Sequence, residues 1–95
     1  MPASGGSLLS QAAVVVGVAP TLLSAINATR TAVILRNNGA ATVFLGNSAV
    51  TIANGMPLQP GDTAPGDSFM LPATAAIYGV VAAATEEVRV LEIGD

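Results

Sequence analysis

Few side chains in this sequence could carry out chemistry near neutral pH. The chain contains no His and no Cys, and its only basic residues are three arginines, so the usual general bases and nucleophiles are missing. Carboxylates remain as candidates. Asp62 and Asp67 each follow a Pro-Gly pair in one loop, and Glu86 adjoins Glu87. Two carboxylates held together could act as general acid and base, or could bind a hard cation such as Ca²⁺.

Simpler roles account for these carboxylates. An Asp that follows a Pro-Gly turn can accept hydrogen bonds from nearby backbone N–H groups, and the loop around Asp62 and Asp67 lacks the spaced acidic ligands of a calcium motif. Glu86 and Glu87 stand at the start of a predicted strand, where adjacent side chains point to opposite faces. The sequence therefore predicts no catalytic residue, no metal site and no cofactor, and it favours a structural or binding module over an enzyme.

Composition and charge argue against two further classes of function. Hydrophobic residues make up 52% of the chain and charged residues 9%, and the net charge is −3. The three arginines are far apart in the sequence, so we expect no binding of nucleic acid. The longest apolar run, residues 75–84, is shorter than the roughly 20 residues of a membrane-spanning helix, so we expect no membrane span. Much of the apolar content is Ala, which buries little surface, and we expect contacts between copies in a homo-oligomer to add stability.

Short runs of Val, Ile, Leu and Thr separated by turn residues predict an all-β fold. We expect a single small β-sandwich or β-barrel of about seven to eight short antiparallel strands. The Asn-Asn-Gly-Ala sequence at 37–40 predicts a tight hairpin over residues 31–45. Further strands are predicted at 49–52 and 68–71, and the alternation in residues 87–93 predicts a last strand near a sheet edge.

The first residues are small, polar or flexible, which predicts an extended N-terminal arm over residues 1–13, followed by the β-domain over residues 14–95. An arm of this kind could add a strand to a neighbouring chain or insert side chains into it. We therefore expect partner contacts at Leu8, Leu9, Val14 and Val16. The two adjacent leucines could equally belong to an early core strand, and the sequence leaves both interpretations open.

Several strand and turn segments together resemble a known group of proteins. They are VILRNNGAATVFLG at 33–46, NGMPL at 54–58, PGD at 60–62, AIYG at 76–79 and VRVLE at 88–92. These segments resemble small β-rich proteins encoded among the structural genes of tailed bacteriophages. The chain departs from the single Pro-Gly-acidic turn of such proteins, because its Pro-Gly-Asp turn occurs twice.

The resemblance implies the role of a capsid decoration, or cement, protein. Such a protein binds the outer capsid shell and stabilises it by bridging neighbouring subunits of the major capsid protein. We accordingly expect a homotrimer on the outer surface of the virion, after assembly in the cytoplasm of a bacterial host. The alternative is a tail-tip or fibre-associated β-module that binds another virion protein or a host surface. A small hydrolase or sugar-binding module is a third possibility, which the absence of Trp and the single Tyr disfavour.

Overall fold

Every regular element in the described part of the chain is a β-strand, which confirms the predicted all-β class. The computed structural model describes residues 7–60, 68–71 and 74–94. These residues contain no helix that is long and apolar enough to cross a membrane. The described strands are β1 (Ser7–Val16), β2 (Thr21–Ser24), β3 (Arg30–Asn37), β4 (Val43–Gly46), β5 (Met56–Leu58), β6 (Ser68–Leu71), β7 (Ile77–Val80) and β8 (Glu86–Gly94).

The strands form two four-stranded sheets in a sandwich-like arrangement. The first, here called the β1 sheet, has the order β1-β8-β3-β6, and the second, the β2 sheet, has the order β2-β7-β4-β5. All pairings within both sheets are antiparallel. The inner faces of the two sheets supply one hydrophobic core. Its buried members are Val16, Leu23, Val33, Leu35, Val43, Leu45, Leu58, Ile77, Val81, Val88 and Val90.

The alternation of side chains along β3 and β8 explains which faces are inside. Val33 and Leu35 of β3 are fully buried, as is Val88 of β8. Each such side chain stabilises the fold by roughly 1.5–3 kcal/mol through removal of apolar surface from water. The intervening Ile34 and Leu91 are only partly buried, because they lie on the outer face of the β1 sheet. Alternation in the sequence separates these two sets of side chains, but it does not show which set is buried.

The predicted hairpin over residues 31–45 is wrong. β3 belongs to the β1 sheet and β4 to the β2 sheet, so the connection between them crosses from one sheet to the other. Asn37 holds the crossing in place: it is fully buried, and its Nδ2 donates to the carbonyl oxygens of Ala41 (2.7 Å) and Leu58 (3.0 Å). A Cβ at Gly39 would overlap the Glu86 carboxyl group, so a larger residue there would require the Glu86 side chain to move.

Residues 49–52 form turns, so the strand predicted there is also wrong. The Asn47 Oδ1 accepts a hydrogen bond from the N–H of Ala49, and the N–H of Thr51 donates to the Asn54 Oδ1 at 2.8 Å. Asn side chains that bond the nearby backbone in this way compete with strand pairing. The sequence signal of alternating small and β-branched residues is therefore overridden by local side-chain hydrogen bonds.

The last strand is interior, which corrects its predicted place near an edge. β8 pairs with β1 on one side and with β3 on the other. The edges of its sheet are formed by β1 and β6 instead. β8 is interior because β1 extends to residue 7 and pairs with β8 along its whole length.

The predicted boundary between arm and domain falls inside a strand. Residues 7–13 are part of β1, and they pair with β8 in the same ladder as residues 14–16. Residues 1–6 lie outside the described part of the chain, so an arm of that length stays a prediction. The domain therefore begins by residue 7 in the structure, because pairing with β8 carries the strand past the expected boundary.

A backbone position between β7 and β8 offers a test of local strain. Ala84 has φ of 58°, in the left-handed region that favours glycine. We expect Ala84→Gly to raise the free energy of unfolding by about 0.5–1 kcal/mol, measured by urea unfolding. Ala83→Gly is the control, since Ala83 is equally exposed but lacks the positive φ. An equal response of both variants would contradict the strain.

Candidate interaction surface

The free edge of β1 is the first feature of the structure that suggests binding. Among the described strands β1 pairs with β8 alone, so one side of its backbone is open. The strand runs for ten residues, Ser7–Val16, without a charged residue or a proline. Proteins usually protect a long edge strand with charges, prolines or bulges, because its unpaired N–H and C=O groups can bind another strand. β1 has neither a charge nor a proline, and the irregularity in its pairing with β8 lies near its start, between Leu8 and Ser10, so most of this edge is suited to pairing with another chain.

The structure places the four predicted contact residues in different environments. Leu8 is 70% exposed and is available to a partner. Leu9 lies at an irregularity in the pairing with β8 and packs over Gly94 of its own chain. Val14 packs partly against the core, and Val16 is fully buried in it. Val15, at 61% exposure, was missed from the predicted set, although strand alternation with the buried Val16 could have indicated it.

The outer face of the β1 sheet adjoins this edge and carries an open groove. The groove has a volume of about 490 Å³. Its floor includes Ala13 of β1, Ile34 of β3 and Leu91 of β8. These apolar side chains are covered by no other described element, because the β2 sheet packs against the opposite face. The outer face of β3 is therefore open in the described part of the chain.

A buried ionic cluster fixes β1 and β8 to the rest of the molecule. The guanidinium of Arg30 is buried and donates to the Glu92 carboxylate at 2.6 Å and to the carbonyl oxygen of Ala75 at 2.6 Å. Glu92 also accepts hydrogen bonds from the hydroxyl groups of Ser10, at 2.6 Å, and Ser24. The cluster thus joins strands of both sheets around one carboxylate. All buried polar side-chain atoms of the described residues have hydrogen-bond partners.

Hydrogen bonding lowers the pKa of Glu92 to about 2. The hydroxyl donors of Ser10 and Ser24 contribute most to this decrease, followed by the donor from Arg30. The sequence offers a signal for this cluster, since Glu92 shares a strand face with the buried Val88 and Val90. A carboxylate on a core-facing position requires a cationic or hydrogen-bonding partner. Sequence alone does not say which arginine supplies it.

The remaining carboxylates form no converging catalytic pair in the described residues. Glu86 Oε1 accepts a hydrogen bond from the N–H of Ala40, and Glu87 Oε1 accepts from the Asn38 amide at 2.9 Å. Both therefore tie the β3–β4 connection to the start of β8. The bond from Asn38 also contributes most to a lowered pKa of Glu87, ahead of Arg89. The described residues hold no group of three or more potential metal ligands; the predicted Asp62 and Asp67 loop lies outside them.

Comparisons with known proteins give no relative on which to base an assignment. No family model, no curated protein and no solved structure matches the chain.

Proposed function

We propose that this chain is a capsid decoration protein, a non-enzymatic module that binds the outer shell of a tailed bacteriophage and bridges neighbouring subunits of its major capsid protein. The observation that supports this most directly is the free, uncharged edge of β1. The resemblance of the strand and turn segments to phage structural proteins supplies the virion setting.

Strand addition is the mode of binding that the β1 edge favours. A strand from a capsid subunit can hydrogen-bond to the open side of β1, so that the backbone gives affinity and side chains give specificity. Leu8 and Val15 are the most exposed large apolar side chains of β1, and they would pack against that subunit. The Arg30–Glu92 cluster and the long ladder with β8 hold β1 firmly. A rigid edge lowers the entropic cost of binding.

A homotrimer would turn a weak contact into a strong one. Three copies around a three-fold axis present three β1 edges to the shell, and the second and third contacts form at high effective concentration. Loosening or expanding the shell would then require breaking several contacts together. The stabilisation of the particle follows from mass action, because the protein binds only the assembled form.

Lysines on the β1 edge are expected to abolish this binding. We predict that the double variant Leu8→Lys/Val15→Lys binds purified shells at least about tenfold more weakly than the wild type, because two apolar contacts are lost and charges oppose strand pairing. Co-sedimentation with shells that lack the protein measures the change.

Ile52→Lys is the matched control for this experiment. Ile52 is 49% exposed in the turns between β4 and β5, outside the β1 sheet. This variant should bind as the wild type does, and both variants should keep the wild-type melting temperature. Equal binding by the β1 variant and the control would contradict the role of the edge. Binding to isolated tails but not to shells would favour the tail-tip alternative instead.

A further inference from the structure

We infer that the groove on the outer face of the β1 sheet is a recognition site for a carboxylate that an extended segment of a partner protein carries between aliphatic side chains. The inference goes beyond the proposed capsid role, because it specifies partner chemistry and holds for any partner protein that presents such a segment. Three features of the groove lead to it: its arginines, the carboxylates around them and its apolar floor.

Two of the three arginines lie side by side in the groove. Arg36 of β3 and Arg89 of β8 are direct partners in the ladder, so their side chains project from the same face. Both are exposed, whereas the third, Arg30, is buried inside the molecule. Like charges directly opposite each other destabilise a sheet. The chain has a net charge of −3, yet its two exposed arginines are direct neighbours in the sheet. Folding alone does not favour this arrangement, because the two positive charges repel each other.

The described carboxylates neutralise this pair only in part. Glu87 accepts a hydrogen bond from Arg89 Nε at 2.8 Å, at an exposed position. No carboxylate in the described part of the chain forms an ion pair with Arg36. A guanidinium has five N–H donors in a planar fork that fits a carboxylate through two parallel hydrogen bonds. One carboxylate between Arg36 and Arg89 would use these donors and remove the repulsion.

The apolar floor beside the arginines determines which side chains next to the carboxylate can bind. The neighbouring row across the sheet consists of Gln11, Leu91 and Ile34, and the last two are partly buried aliphatic side chains. On an extended segment, residues two positions apart share a face. An acidic residue flanked at that spacing by aliphatic ones therefore fits both rows. A phosphate backbone fits worse, since it offers no aliphatic groups and binding it usually requires more cations.

The groove also reaches the free edge of β1. Ala13 of β1 is the ladder partner of Arg89 on that side, and its small side chain leaves the guanidinium accessible from the edge. A segment paired with β1 would continue the sheet by one strand. Its side chains on the outer face would then stand beside Ala13, within reach of the long side chain of Arg89. Backbone pairing and charge recognition can therefore occur together.

An NMR titration with isocaproate, a branched aliphatic carboxylate, tests the site. We expect saturable shifts of the Nε–H signals of Arg36 and Arg89 and of the methyl signals of Ile34 and Leu91. Isocaproamide, which lacks the charge, should bind at least about tenfold more weakly. Inorganic phosphate should shift the arginine signals and leave the methyl signals unchanged.

Variants of the two arginines distinguish recognition by the paired guanidinium groups from general attraction by positive charge. Arg36→Gln/Arg89→Gln should lose the saturable binding, and Arg36→Lys/Arg89→Lys, which keeps the charge but not the fork, should weaken it several-fold. Arg36→Gln should also raise the melting temperature of the free protein at low salt, because it removes the repulsion between the two arginines. This gain should disappear in 1 M salt, where the Debye length is roughly 3 Å and the repulsion is screened. A fall in melting temperature would mean that Arg36 is structural and would overturn the inference.

Two further results would also overturn it. Phosphate binding as tightly as isocaproate would show a general anion site with no aliphatic selection. The chain's own Asp62 and Asp67 precede β6 in the sequence, and they provide the second test. If Asp62→Asn/Asp67→Asn tightens isocaproate binding by more than about tenfold, the groove serves a carboxylate of the same chain. Unchanged affinity in that variant supports a partner.

Discussion

Replacing Asn37 with Asp is expected to lower the free energy of unfolding by about 3 kcal/mol or more. The Asn37 Nδ2 is a buried donor to two carbonyl oxygens, those of Ala41 and Leu58. A carboxylate has the same shape but no donor, so the variant sets a buried negative charge against two oxygen acceptors. Urea unfolding at pH 7 measures the loss. Mild acid should reduce it, because a protonated carboxyl group regains one donor.

Asn47→Asp is the matched control. Asn47 is exposed, and its Oδ1 accepts a hydrogen bond from Ala49, which a carboxylate oxygen can also do. The same chemical change should therefore leave stability almost unaltered at this position. Similar losses in both variants would contradict the view that Asn37 joins the two sheets through its donors.

Glu92→Gln is expected to lower the free energy of unfolding by about 3 kcal/mol, because it leaves the guanidinium of Arg30 buried without its counter-charge. The loss should depend on pH. The pKa of Glu92 is lowered from 4.5 to about 2, so its contribution to stability is fully present above pH 4.5 and disappears as the pH falls through 2. The difference between the wild type and the variant should therefore be constant above pH 4.5 and shrink below it.

Glu87→Gln provides the comparison for Glu92. Glu87 also pairs with an arginine, but both partners are exposed. Exposed ion pairs contribute little to stability, so this variant should unfold close to the wild type at neutral pH. Equal losses for the two glutamates would show that burial of Arg30 does not set the strength of the cluster.

Local patterns predicted much of the fold. The strand at 68–71 has the predicted bounds, and the alternation predicted in residues 87–93 places Val88 and Val90 on one face of β8 and Arg89 and Leu91 on the other, as in the structure. Such features depend on residues that are neighbours in the sequence. Alternation assigns residues to the two faces of a strand before the partner strands are known.

Features that depend on distant residues were not predictable in the same way. The turn-forming residues after β3 are typical of a hairpin. Instead, the buried hydrogen bond from Asn37 to the carbonyl oxygen of Leu58 links the end of β3 to a strand of the other sheet. Arg36 and Arg89 are far apart in the sequence and become adjacent only through the register of β3 with β8. The same holds for the pairing of Arg30 with Glu92. Register between distant strands is set by the whole core, which a single-sequence pattern does not encode.

The stability predictions and the binding proposals concern the same strands. Glu92 of the Arg30–Glu92 cluster accepts a hydrogen bond from Ser10 of β1. β1 in turn supplies the free edge and part of the floor of the groove. Weakening the cluster should therefore weaken partner binding as well, even though none of its charged groups lies on the binding surface.

The copy number of this chain in purified particles is the best test of whether the chain decorates the whole capsid shell. Quantitative mass spectrometry of intact phage particles, with the major capsid protein as internal standard, gives the ratio. We predict near-parity of the two chains, because a protein that bridges subunits across the whole shell must be present in about as many copies as the shell protein. A handful of copies per particle would contradict it and place the chain at the tail or a single vertex, and complete absence would remove the virion role.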